Sequence, residues 1–116
     1  MSAPERPPGV SETPARFEGP PSLAEVLEVL RAHQPKAREM GVELVGVVGS
    51  MARGEAGPES DVDIAYDVIG EGLTLFKLGG LLMDLQDALG RPVDLINREG
   101  LKPERRTFME RTLVRA

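Results

Sequence analysis

The sequence predicts an α/β (α+β) fold, a small mixed β-sheet flanked by helices, and three observations predict it. Segments of helical period alternate with short, β-branched apolar runs. Glycine or proline marks most joins between them. With 116 residues and no internal repeat, the chain can bury one core but not two. The expected order is helix, strand, turn, strand, helix, strand, helix, packed as one sandwich.

Residues 1–21 hold six of the ten prolines, mixed with glycine and charge. Such a composition buries too little surface to offset the entropy of ordering. A disordered tail is expected over 1–21 and a folded domain over 22–116. In SLAEVLEVLRAHQ, Ser22 and Glu25 have capping-box spacing, and Leu23, Val26, Leu27 and Leu30 recur at i, i+3, i+4 and i+7. A helix is expected over about 22–33, broken by Pro35 before a short turn that Gly41 ends. VELVGVV, residues 42–48, reads as a buried strand. A helical turn at 50–54 and a loop rich in glycine and proline follow.

The next strand, DVDIAYDV, alternates strictly. Val62, Ile64, Tyr66 and Val68 share the core face, and Asp61, Asp63, Ala65 and Asp67 the other, a row of carboxylates. A helix over 73–89 carries Leu73, Phe76, Leu81, Leu82, Leu85 and Leu89, is weakened by Gly79 and Gly80, and stops at Gly90. RPVDLI, 91–96, is a third strand, and Pro103 starts a basic helix that runs to the end of the chain.

Composition removes several functions. A net charge of -5 argues against direct nucleic-acid binding and against anionic membranes. Without cysteine there is no disulfide, no thiolate nucleophile and no zinc-cysteine site, and His33 alone makes no histidine cluster. The start, MSAPERPPGV, lacks the apolar core of a signal peptide, and no apolar run approaches the ~18 residues of a membrane span. A cytoplasmic protein is the expectation.

The chemistry concentrates between Gly49 and Asp94. Two carboxylates at i and i+2 on one strand face stand only ~7 Å apart and repel unless a cation lies between them. Two readings stay open for Asp61 and Asp63: a solvated strand face, or a divalent-metal site. Asp94, on another strand, adds a third carboxylate, and oxygen ligands of this kind select magnesium or manganese. Converging, three aspartates could hold two ions ~3.5–4 Å apart. Gly49-Ser50 follows a strand and opens a helical turn, a place that favours phosphate but is more often an ordinary turn. No Walker loop, EF-hand or dinucleotide fingerprint is present.

GS, ten residues, then DVD, with ARG just after the serine and RPVDLI downstream, resembles the minimal nucleotidyltransferases of the DNA polymerase beta superfamily. The likeness covers roughly residues 22–115. It implies the polymerase beta-like fold and transfer of AMP from ATP to a hydroxyl, with two Mg2+ ions. By position, Gly49 and Ser50 would hold the triphosphate, with Arg53 as the usual arginine after the serine. Asp61, Asp63 and Asp94 would be catalytic metal ligands, and Asp94 would also help deprotonate the acceptor. Short members of the family are typically antitoxins that adenylylate a tyrosine of a HEPN-type ribonuclease toxin. The implied partners are ATP and such a toxin, with a homo-oligomer also open. Two alternatives stand beside this: an antitoxin that acts by complex formation alone, and a nucleotidyltransferase for a small molecule such as an antibiotic. The proline-rich extension and the basic NREGLKPERR depart from the family pattern.

Other polar residues receive plainer readings. Tyr66 lies opposite the aspartates and is expected in the core, His33 at a helix surface or cap, and Asp67 beyond the site in solvent. Arg105, Arg106, Arg111 and Arg115 read as a solvated helix face, with contact to an acidic toxin surface or to nucleotide phosphates as the alternative.

Overall fold

The computed structural model describes residues 21–55 and 61–116. In chain order they form α1 (Leu23–Glu39), β1 (Val42–Val48), α2 (Gly49–Arg53), β2 (Val62–Val68), α3 (Leu75–Leu89), β3 (Val93–Asn97), a 3₁₀ turn (Arg98–Gly100), α4 (Pro103–Thr112) and β4 (Val114–Arg115). The expected tail lies outside the described residues except for Pro21, which is buried.

The sheet has the order β3-β2-β1-β4. β1 runs antiparallel to β2 and β4, while β2 and β3 are parallel, joined by α3 as the crossover. This is the mixed sheet with flanking helices that the alternation of patterns predicts.

Ser22 caps α1 in both directions: its hydroxyl accepts from Glu25 N at 3.1 Å, and its own N–H reaches the Glu25 carboxylate at 2.7 Å. The expected break at Pro35 does not occur, and α1 continues to Glu39. Ala37, seven residues beyond Leu30, extends the buried stripe of Val26 and Leu30 and holds the second half against the sheet. The carbonyl that Pro35 cannot bond belongs to Arg31, an exposed residue where water can satisfy it.

A bulge between Leu44 and Gly46 organises β1. Before and after it, Val42, Leu44 and Val47 face the main core, with Val62, Ile64 and Tyr66 of β2 and Leu81, Leu85 and Leu89 of α3. Val45 lies on the other face by alternation and the bulge brings Val48 to it as well, where both pack with Ala65 and Met109 of α4. That face is therefore a second small core interrupted by carboxylates, not the bare acidic row expected. Val68, expected in the core, is 37% exposed at the end of its strand.

α3 begins at Leu75 behind its cap Thr74, two residues later than expected, and Leu73 packs on the core from the loop. Phe76 is no core residue: it is 89% exposed. Five residues before Leu81, it points roughly 140° away around the helix. β3 starts at Val93 because Pro92 has no N–H for a ladder. α4 ends at Thr112, short of the expected terminus, and the chain turns into β4. β4 pairs with Gly46 and Val47, and a Cβ on Gly46 would run into the Val114 carbonyl. Glycine inside an apolar strand was the available signal for this close approach.

Candidate active site

β1 leads directly into the site. Gly49 turns with φ +78°, in the left-handed region, and a Cβ there would collide with the Asp63 carboxylate. The residue type is thus set twice, by backbone and by space. Ser50 follows in α2, half-buried, and Val48 offers the first turn no side-chain cap. Arg53 ends α2 and pairs with Glu55 at 3.1 Å.

The parallel register of β2 and β3 sets Val62 beside Val93 and Asp63 beside Asp94. The valines are buried on the core side, so the aspartates project together from the opposite face. Asp61 is exposed, one residue before β2. Burial, then the charge of Asp94, then that of Asp61 raise the Asp63 carboxyl above the ordinary aspartate range, and Arg53 opposes them. Asp63 is the member whose charge most needs a counterion.

Three carboxylate donors with no histidine or thiol among them have the chemistry of a hard divalent cation's ligands. Among the described residues no three acidic or histidine side chains stand as a group ready to hold an ion. Asp61 and Asp94 are exposed and free to change rotamer, and the absent Cβ of Gly49 keeps room around the Asp63 carboxylate. On donor type and space, the residues fit magnesium.

Beside this cluster a cavity of about 430 Å³ opens between the end of β1 and α4. Gly49, Arg53 and Asp63 form its polar end, with one charge of each sign, and Ile96, Met109 and Phe108 its apolar wall. Sequence reasoning missed this wall, because the α4 pattern is dominated by charge and shows no apolar stripe. Arg105, expected on a solvated face, lines the same cavity. Arg115 belongs to β4, not to a helix, and meets Glu110 at 3.7 Å.

Asp67 differs from expectation as well. It is bound bidentately by Arg98, Nε to one oxygen at 3.0 Å and Nη2 to the other at 2.6 Å, while Arg98 also reaches Glu110 at 2.7 Å. The Arg98 hydrogen bonds hold the Asp67 carboxyl below the usual range. Nothing in the sequence marks a pair 31 residues apart. Tyr66 is buried among core residues, as expected. His33 Nδ1 lies 2.8 Å from the Val29 carbonyl, inside its own helix.

Known proteins align along this same frame. The nucleotidyltransferase domain family matches residues 23–114. Protein adenylyltransferase MntA of Thermococcus cleftensis is 43% identical over 82 residues, covering 70% of this chain and 82% of its own. An inferred protein adenylyltransferase of Methanocaldococcus jannaschii is 38% identical over 81 residues, covering 69% and 82%. Among solved structures, one of an inferred minimal nucleotidyltransferase superposes with a TM-score of 0.69 at 32% identity, over 81% of this chain and 95% of that one. The family match runs from the first residue of α1 into β4 and leaves no element of the fold outside it. The chain belongs to the nucleotidyltransferase domain family.

Proposed function

We propose that this nucleotidyltransferase is a cytoplasmic, magnesium-dependent protein adenylyltransferase, an antitoxin that silences a HEPN-type ribonuclease toxin by placing AMP on one of its tyrosines. The observation that carries the reading is the register of Asp63 beside Asp94, behind a glycine whose missing Cβ leaves room for the Asp63 carboxylate. In this reading Gly49 and Ser50 hold the triphosphate of ATP, and Arg53 neutralises part of its charge. Asp61, Asp63 and Asp94 would hold two magnesium ions, which would supply charge neutralisation at the phosphates. The tyrosine oxygen attacks the α-phosphorus, forming one P–O bond as the bond to the bridging oxygen breaks. Pyrophosphate departs with the electron pair, and Asp94 takes the tyrosine proton.

A protein acceptor has support in the surface. Leu75 is 87% exposed and shares a shallow cavity with Asp94, and Phe76 beside it is equally open. Apolar area of this kind is what a protein partner covers.

The test is to incubate the protein with ATP labelled in the α-phosphate, magnesium and the helical protein encoded beside it. Label should appear on a tyrosine of that protein, and chelation or Asp61→Asn with Asp63→Asn should abolish it. Toxin silenced without label, or labelled equally by the double variant, would refute the enzymatic reading.

A further inference from the structure

Resting on that reading, we infer that the cavity between β1 and α4 seats the base of the nucleotide, with Phe108 as the face on which it stacks. The cavity's volume of about 430 Å³ is of the size that small-molecule sites use. One end is made by Gly49 and Asp63, where the reading places the triphosphate and metal. A nucleoside joined to phosphates held there extends along the same cavity. Its far wall is apolar, from Ile96, Leu101 and Met109, which suits a flat heteroaromatic ring better than a sugar or a charged group.

Phe108 is the one aromatic among the described residues lining this cavity, and it is 57% exposed. A phenyl face left open beside an apolar wall is a stacking platform that any base can use. The polar groups on the same face of α4 add a preference. Thr112 Oγ1 is placed to donate to the Phe108 and Met109 carbonyls, at 3.4 and 3.2 Å, so it can offer a ligand only an acceptor, as does the Glu104 carboxylate. These two acceptors match the exocyclic amine of adenine, while Arg105 of the same helix also lines the cavity and adds a donor.

The acceptor tyrosine is the competing occupant, and placement argues against it. Asp94, which takes the tyrosine proton in the reading above, does not line this cavity but a separate one of about 270 Å³ with Leu75 and Leu82. The nucleoside and the acceptor thus approach the aspartates from different sides.

The experiment uses the full chain, which contains no tryptophan, so Phe108→Trp introduces a single tryptophan whose emission can be excited apart from that of Tyr66. Magnesium-ATP should quench or shift its emission, whereas inorganic tripolyphosphate should not. Calorimetry should show Phe108→Ala weakening ATP by about tenfold or more, tripolyphosphate by less than about twofold, and inosine triphosphate binding wild type more weakly than ATP. Equal ATP affinity in wild type and Phe108→Ala, with a raised KM for the protein acceptor instead, would overturn the inference alone. A wild type that binds neither ATP nor tripolyphosphate would overturn the adenylyltransferase reading and this inference with it.

Discussion

At Gly49 the backbone stands at φ +78° and the Asp63 carboxylate occupies the space a methyl group would need. Gly49→Ala therefore costs about 1–2 kcal/mol in the left-handed region and pushes Asp63 aside. Thermal melts should show a fall of roughly 5–10 °C, and transfer should drop by about a hundredfold, since displacement of a reacting group by an ångström suffices. Asp63 itself lies between two like charges, so Asp63→Asn relieves repulsion. With chelator present, that variant should melt at or above the wild-type temperature. Added magnesium should raise the wild-type melting temperature and leave the variant unmoved, because only an ion that binds the folded state stabilises it. An equal magnesium response in both would remove Asp63 from the ligand set. Strict alternation, with Val62 and Ile64 beside Asp63 and Val93 and Leu95 beside Asp94, made it legible that these two carboxylates face away from the core, but the register that sets them side by side was not legible, because it is fixed only when β2 pairs with β3. The place of Phe108 in the cavity wall was not legible either, because one aromatic in a charged helix carries no periodic signal.

Among elements, α4 depends on a contact far away in sequence. Arg98, whose side chain is only 12% exposed, ties Asp67 of β2 to Glu110 of α4. Removing one partner of a charged, hydrogen-bonded pair at this depth should cost about 1–3 kcal/mol. The pH dependence follows from the lowered Asp67 carboxyl. The unfolded chain holds this proton at the ordinary value of 3.8 and the folded one only at lower pH. The contribution is thus full above 3.8 and is lost as pH falls through the folded value. Urea melts should show Asp67→Asn less stable than wild type at neutral pH, with the gap closing in acid below that range. A gap independent of pH would contradict the ion pair. This tie was illegible because it depends on tertiary placement. The break expected at Pro35 failed for a similar reason: packing of Ala37 outweighs a local preference that, read alone, ends a helix. β4 was hidden by the basic pattern before it, although Gly46 marked where another backbone comes close.

For the whole molecule, one sheet delivers the site. β1 brings Gly49, β2 brings Asp63 and β3 brings Asp94, and α4 closes the cavity over that end of the sheet. The fold class was readable because three apolar runs and two strong amphipathic helices leave few other arrangements, whereas the cavity arises only when α4 docks on the face where Val45, Val48 and Ala65 lie. Under the proposed function, Asp61, Asp63 and Asp94 act as one unit on bound nucleotide. Single-turnover rates of AMP transfer, taken for each aspartate-to-asparagine variant alone and for all three combined, decide this. Residues that act as a unit give single losses nearly as large as the triple loss. Each single variant is expected to fall close to the residual rate of the triple variant. Losses that multiply independently, or an Asp94→Asn variant that transfers AMP at the wild-type rate, would contradict it.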